Sequence, residues 1–177
     1  QTGIGITGKM WCHEHYSIKP DILSFGKKTQ VCGVLAGDRI DEVEKNVFNE
    51  SSRINSTFGG NLTDMVRFKI ILDIIKEENL ISNAAKQGEY LQSKLNGLSS
   101  EFPGYVTNAR GLGLFVAFDL PSGTERDELW SELMKNNLLI LASGDQSIRF
   151  RPHLNVTSED IDKSIRIISK SIKEILR

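Results

Sequence analysis

Apolar residues recur every three or four positions along three stretches of the chain, and this spacing predicts amphipathic helices. The first stretch begins after Asn61 and ends near residue 79, and the second covers residues 80–98 and ends before Pro103-Gly104. The third opens at Thr157, which pairs with Asp160 in a pattern typical of a capping box. We therefore expect long helices in the middle of the chain and at its end.

Shorter apolar runs between these helices predict strands. Residues 111–120 indicate one strand, and residues 138–141 and 148–151 indicate two more. Thr124 followed by Asp127 favours a helix start between the first strand and the second. The expected order after residue 100 is strand, helix, strand, strand, helix. Residues 1–60 are instead rich in glycine, turns and short strands, a composition typical of ligand-binding loops.

Composition excludes several function classes. The chain has 177 residues, is 39% hydrophobic and 25% charged, and carries a formal net charge of -1, which disfavours binding to nucleic acid or an anionic membrane. No apolar run approaches the ~18 residues of a membrane span. The two cysteines form no disulfide framework, so we expect a reducing, cytoplasmic compartment. The start at Gln1-Thr2-Gly3 indicates a piece of a longer protein.

The most informative candidate is Lys27, which follows the short apolar strand at 22–25 and Gly26. In open α/β sheets, ligands bind at the carboxyl ends of strands. An amine at this place could form a Schiff base, bind a phosphate, or be a solvated loop charge. The neighbouring Lys28 is interpreted as structural, on the opposite side of the chain.

Two further motifs have a weaker functional interpretation. Residues 3–8 match the G-x-G-x-x-G dinucleotide pattern, but the strand before it and the acidic residue about 20 positions later are missing, so a flexible loop is favoured. The run Cys12-His13-Glu14-His15, together with Cys32, could supply zinc ligands, but the spacing fits no standard site, and a packed turn is favoured. We expect no metal.

Two other constellations indicate an anionic ligand. Ser56 to Asn61 places hydroxyls and glycines ahead of a helix, where a phosphate can bind, although an ordinary capping loop has the same composition. Arg149 and Arg151 alternate along a strand, and we expect them on opposite faces, one in solvent and one in a cleft that binds a carboxylate. A solvated edge strand is an equal alternative. Arg110 is weaker, either capping a turn or solvated.

A Schiff-base lysine, a phosphate loop and a carboxylate-binding arginine are together the parts of pyridoxal phosphate chemistry. At these positions the chain resembles the class III (ω-amino acid) aminotransferases of the type I pyridoxal-phosphate fold. The resemblance covers nearly the whole chain through five motifs in the family's order: Gln1-Thr2-Gly3 with Gly5 and Thr7-Gly8; Pro20-Asp21-Ile22 with Gly26-Lys27; Thr57 to Asn61; Arg110 to Gly113; Arg149-Phe150 with Pro152.

The resemblance implies an α/β fold with two parts. Residues 1–75 would be the C-terminal part of the large cofactor-binding domain, and residues 76–177 a small C-terminal α+β domain. It implies that Lys27 is the catalytic Schiff-base lysine and that Gln1 lies near the ring hydroxyl of pyridoxal 5'-phosphate. Thr57 and the backbone of Phe58 would contact the phosphate of the partner subunit's cofactor, so the active site would be shared across a homodimer. Arg149 would bind the substrate carboxylate.

Within the family, the stretches 28–33 and 55–67 are similar to members that transfer the ε-amino group of L-lysine to 2-oxoglutarate. The doubled lysine and residues 147–152 are also similar to members that act on 4-aminobutyrate, and ornithine-type members fit less well. The remaining cofactor contacts of the family come from an upstream half that these residues lack. We therefore expect the chain alone to be inactive, and a role in dimerisation or interaction only is the alternative.

Overall fold

The computed structural model describes residues 1–53, 57 and 59–177. Ile54, Asn55, Ser56 and Phe58, of which the last was predicted to contact the phosphate, lie outside the described residues. The helices and strands are β1 (Ile22–Phe25), β2 (Gly33–Ala36), α1 (Leu62–Glu77), α2 (Leu80–Glu101), β3 (Thr107–Leu112), β4 (Phe115–Asp119), α3 (Gly123–Lys135), β5 (Leu141–Ser143), β6 (Ser147–Phe150) and α4 (Ser158–Ile175).

Four of the strands form an antiparallel sheet in the order β3-β4-β6-β5. Alternate side chains point to opposite faces of a strand, and the side chains of one face are buried against the helices α2 and α3, on which α4 packs in turn. Phe118 and Phe150 lie in this core with their ring centroids 6.5 Å apart. The other face is less buried, and Ala117 and Arg149 are paired on it.

The predicted helices are confirmed, and their boundaries follow from local chemistry. The side chain of Asn61 accepts a hydrogen bond from the backbone of Thr63 and begins α1. Thr157 and Asp160 form the predicted capping box at the start of α4, whose buried isoleucines belong to the hydrophobic core. Among the described residues, no helix is long and apolar enough to cross a membrane.

Three sequence predictions on element boundaries are wrong. Residues 111–120 do not form one strand, because the chain turns at Gly113 (φ 54°) and the backbone N–H of Leu114 donates to the carbonyl of Ile6 at 2.8 Å. The helix α3 begins after Ser122, whose hydroxyl accepts from the backbone of Thr124, not at Thr124. The strands predicted at 138–141 and 148–151 lie at 141–143 and 147–150.

The first ten residues belong to the same core as the C-terminal elements. Ile4 and Ile6 are 1% and 0% exposed within it. Gly8 lies so close to α2 that an added Cβ would be 2.9 Å from the Cβ of Ala85. The division into residues 1–75 and 76–177, which cuts α1 two residues before its end, stays a prediction.

Candidate active site

Lys27 lies where the sequence pattern placed it, directly after β1 and Gly26. Its backbone has a φ of 62°, in the left-handed region that costs a side-chain-bearing residue energy. A short 3₁₀ turn follows over Lys27–Thr29, closed by the N–H of Gln30 donating to the carbonyl of Lys27 at 2.9 Å. The side chain of Lys27 is exposed, while Thr29 is 1% exposed. Strained backbone of this kind is concentrated at functional sites.

An aromatic cluster fixes the strand end that precedes Lys27. The ring of Phe25 lies 6.0 Å from the ring of Trp11 and 5.4 Å from that of Phe68, between centroids. Gly33, opposite Phe25 in the β1–β2 pair, has no room for a side chain, since an added Cβ would be 2.3 Å from the Phe25 ring. Packing therefore determines the direction in which the chain enters the turn at Lys27.

A cleft of about 360 Å³ opens beside this turn, lined in part by Gln1, Thr2, Trp11, Ser24 and Gly26. The backbone carbonyl of Gln1 accepts a hydrogen bond from Arg151 Nη2 at 3.2 Å. The structure thus brings the first residue of the chain together with the turn at Lys27 and with the end of β6.

Arg149 lies on the less buried face of the sheet, in one cross-strand row with Ala117 and Arg110. Its guanidinium carbon is 5.3 Å from the ring centroid of Phe115, and its buried Nε has no hydrogen-bond partner. Among the residues that the structure describes, no carboxylate forms an ion pair with it. A guanidinium in this state can bind a carboxylate through two hydrogen bonds.

Arg110 differs from Arg149 because its hydrogen bonds are used within the protein. Its Nη1 donates to Asp119 Oδ1 at 2.8 Å, and its Nη2 donates to the hydroxyl of Ser147 at 2.9 Å. Burial acts to raise the pKa of Asp119, but hydrogen bonds from Ser147, Asn108 and Arg110 outweigh it and hold that pKa below its usual value. Sequence reasoning missed this network, although Asp119 is the one charged residue between 111 and 120 and was a visible signal.

The prediction that Arg149 and Arg151 point to opposite faces is wrong. Residues two apart on a strand share a face, and β6 itself ends at Phe150. Both arginines line a second cavity of about 340 Å³. Burial, followed by the charge of Arg149, lowers the pKa of Arg151.

Lys28 is half-buried and points to the same region. Its Nζ donates to the carbonyl of Pro152 at 3.2 Å, and burial, followed by the charge of Arg151, lowers its pKa to about 8. Lys28, Arg149 and Arg151 therefore lie together around Pro152, and no ion pair joins any of the three to a carboxylate within the described ranges. Such an arrangement attracts an anionic ligand.

Thr57 is an exposed turn residue four positions before Asn61. Its predicted phosphate contact stays a prediction, and the part of that contact assigned to Phe58 lies outside the described residues.

The two weaker motifs have structural roles. The loop over residues 3–8 is closed by a hydrogen bond from Gly8 N to Gly5 O at 3.0 Å and packs into the core through its isoleucines. His13 contacts the carbonyl of Ile18, and His15 contacts the hydroxyl of Thr7. Within the described ranges, no group of three potential metal ligands lies together.

Comparisons with known proteins give a consistent result. The model of the class-III aminotransferase family matches residues 1–172. The L-lysine-epsilon aminotransferase of Mycobacterium tuberculosis is 47% identical over 172 residues, which are 97% of this chain and 38% of that protein. A solved structure of lysine aminotransferase from the same organism, in the internal aldimine form, superimposes with a TM-score of 0.96 at 46% identity, over 99% of this chain and 40% of the other.

A 4-aminobutyrate aminotransferase from Dictyostelium discoideum is more distant, at 32% identity over 179 residues, with 100% of this chain and 35% of the relative covered. The chain thus spans well under half of the length of the relatives it matches.

Proposed function

Because this chain belongs to the class-III aminotransferases, we propose that the complete protein transfers the ε-amino group of L-lysine to 2-oxoglutarate. The products would be 2-aminoadipate 6-semialdehyde and L-glutamate, formed in two half-reactions of a ping-pong cycle with pyridoxal 5'-phosphate. The observation that carries the proposal is that Lys27 is exposed at the end of a strand and that the Arg149 guanidinium has no carboxylate partner among the described residues. The 47% identity to lysine aminotransferases supports lysine as the donor.

The residues present fit the cofactor. A buried Nε of Arg149 without a partner and the half-buried cations Lys28 and Arg151 make a strongly positive region beside the cleft at Gln1. A phosphorylated aldehyde, the two carboxylates of 2-oxoglutarate and the carboxylate of L-lysine would bring the missing negative charge. Gln1 lines the cleft and would lie near the ring hydroxyl of the cofactor.

Each residue then has a physical task. When bound, pyridoxal phosphate supplies an electron-withdrawing ring that stabilises negative charge on the substrate carbon. Lys27 would anchor the cofactor through its Nζ and, once released, move a proton to and from that carbon. Arg149 would orient the substrate by binding its carboxylate in two hydrogen bonds, which holds the reacting carbon near Lys27. The Asp119 network keeps Arg110 from competing for that carboxylate.

The proposal also includes a homodimer in which Thr57 and Phe58 reach the partner subunit's cofactor, and a cytoplasmic location. Since the chain spans 38% of its M. tuberculosis relative, further contacts would come from the remaining part of the complete protein. On this basis we expect the 177 residues alone to be inactive.

Trapping of the cofactor on one lysine tests the proposal. The complete protein is incubated with pyridoxal phosphate, reduced with borohydride and mapped by peptide mass spectrometry. We expect the label on Lys27 and none on Lys28, and we expect K27A to lose both the label and the transaminase activity while K28M keeps the label. A complete protein without a label on Lys27 would contradict the assignment and favour a role in dimerisation or interaction only.

The amino donor is tested separately by half-reactions. Single additions of L-lysine, 4-aminobutyrate and L-ornithine to the loaded protein are followed by the visible absorbance of the cofactor. L-lysine is expected to react with the highest kcat/KM. A higher value for 4-aminobutyrate, whose aminotransferase in D. discoideum is 32% identical, would change the substrate and leave the reaction class intact.

A further inference from the structure

One hydrogen bond joins the turn that contains Lys27 to the segment that contains Arg149, and a second joins the segment that contains Arg149 to the first residue of the chain. Lys28 Nζ donates to the carbonyl of Pro152, and Arg151 Nη2 donates to the carbonyl of Gln1, both at 3.2 Å. Gln1 lines the same cleft as Ser24 and Gly26, so the second contact holds the segment that contains Arg149 beside the strand end that leads to Lys27. In each of the two hydrogen bonds, a cationic side chain donates to a backbone carbonyl. These contacts therefore fix the position of the backbone itself.

The donors are placed next to the functional residues. Lys28 is the immediate neighbour of Lys27, and Arg151 is separated from Arg149 by Phe150 alone. The backbone beside each donor is fixed by a buried residue, because Thr29 is 1% and Phe150 is 8% exposed. If either segment moved, one of these two hydrogen bonds would therefore lengthen before the buried core residues were displaced.

We propose that Lys28 and Arg151 are positioning residues that hold the carboxylate-binding Arg149 at a fixed separation from the amine of Lys27. Neither touches the reacting atoms; each acts on the segment that contains Arg149. The inference rests on the proposed function, because it assigns Arg149 to the substrate carboxylate. The inference also gives Lys28 a role of its own, which Lys27 cannot take over.

The physical reason is the sensitivity of binding to small displacements. A bidentate guanidinium–carboxylate pair requires both nitrogen atoms in place, and a shift of about 1 Å can cost up to a hundredfold in rate or binding. Losing one of the two contacts would weaken the binding of a dicarboxylate before it altered the proton transfer at Lys27. A general loss of structure would change both together.

The test compares K28M, K28R and the matched control K86M in the complete, cofactor-loaded protein. Lys86 is an exposed lysine on α2. Calorimetry measures the dissociation constant of glutarate, a dicarboxylate that lacks the reacting carbonyl, and steady-state kinetics give kcat and KM for 2-oxoglutarate. In K28M we expect both the dissociation constant and KM to rise about tenfold, with kcat changed less than about twofold. K28R retains a cationic donor and is expected to restore most of the binding, and K86M to match the parent.

R151Q provides an independent arm, since it breaks the other contact and is expected to give the same rise in KM; it decides the question if K28M does not fold. Unchanged glutarate binding in both K28M and R151Q, or a loss of kcat at constant KM, would overturn the positioning role while Lys27 is still labelled in the parent. A parent protein that neither labels at Lys27 nor binds glutarate would overturn the proposed function, and this inference with it.

Discussion

Lys28 makes the stability of the protein depend on pH in a defined direction. Its pKa is lowered to about 8, first by burial and then by the charge of Arg151. An unfolded lysine keeps its proton up to about pH 10.4. Between these values the unfolded state binds more protons than the native state, so the free energy of unfolding rises with pH over this window.

We expect K28M to remove this rise. Urea unfolding of the parent, K28M and K86M at several pH values from 7 to 10 measures the slope of the free energy of unfolding against pH. We expect this slope to be larger in the parent than in K28M, by less than about 1.4 kcal/mol per pH unit. K86M, in which an exposed lysine is lost, is expected to retain the slope of the parent. An identical pH dependence in parent and K28M would show that Lys28 is solvated.

The sequence was sufficient to single out Lys27, because a strand, a glycine and a lysine are local in the chain. It was not sufficient for the partners of Lys28 and Arg151, which lie 124 and 150 positions away and are backbone carbonyls with no sequence signature. The wrong faces predicted for Arg149 and Arg151 came from misapplying the strand period of two. The hydrogen-bond network at Arg110 could have been predicted, because Asp119 is the one charged residue in the apolar run 111–120.

Among the helices, α2 has a glycine, Gly88, at a position where the turn at Gly113 leaves no room for a side chain. A Cβ added to Gly88 would lie 2.2 Å from the carbonyl carbon of Gly113, in the turn between β3 and β4. Backbone cannot move as freely as the end of a side chain, so G88A is expected to destabilise the protein by about 2–3 kcal/mol. Thermal or urea unfolding measures the change.

Gly97 of the same helix provides a matched control, because an added Cβ meets nothing within 4 Å. G97A is expected to stabilise the protein by about 0.5–1 kcal/mol, since alanine loses less conformational freedom in a helix than glycine. If G88A and G97A changed the stability alike, the close approach of α2 to the turn at Gly113 would be wrong.

The same turn shows why the predicted elements were only partly right. The capping box at Thr157 is a local signal, and α4 begins there as predicted. The break of the apolar run 111–120 depends on Leu114 donating to the carbonyl of Ile6, more than a hundred residues earlier, and periodicity cannot reveal such a contact. The two glycines flanking Leu112 were the local signal for the turn.

Considered as a whole, the molecule leaves large apolar side chains exposed on α1 and on β1. On α1, Leu62 is 81% and Val66 59% exposed, and Ile22 of β1 is 61% exposed. Apolar surface of this extent is usually covered by protein. The parts of a class-III aminotransferase that lie outside these residues, and a second subunit, are the available partners, and Thr57 precedes α1 at the same end of this helix.

A mixed dimer tests whether Thr57 serves the partner subunit's site. In the complete protein, K27A and T57A are each expected to lose most transaminase activity, the first through the missing amine and the second through a lost phosphate contact. If the site is shared, a mixed dimer contains one site with Lys27 from the T57A subunit and Thr57 from the K27A subunit, and that site is intact. Equal random mixing is expected to give about a quarter of the parental activity, because symmetric dimers have two equivalent sites.

If the site is not shared, the same mixture of K27A and T57A is expected to have a different transaminase activity. If Thr57 contacts the cofactor of its own subunit, every site in the mixture lacks either Lys27 or Thr57, and mixing restores nothing beyond the average of the two variants. K27A mixed with G97A is the control for an effect of the K27A subunit on its partner, since the substitution at the exposed Gly97 leaves every site with a G97A lysine intact whichever subunit it is paired with. Activity that follows the proportion of G97A subunits, together with recovery in the K27A and T57A mixture, therefore requires a phosphate contact that crosses the dimer interface.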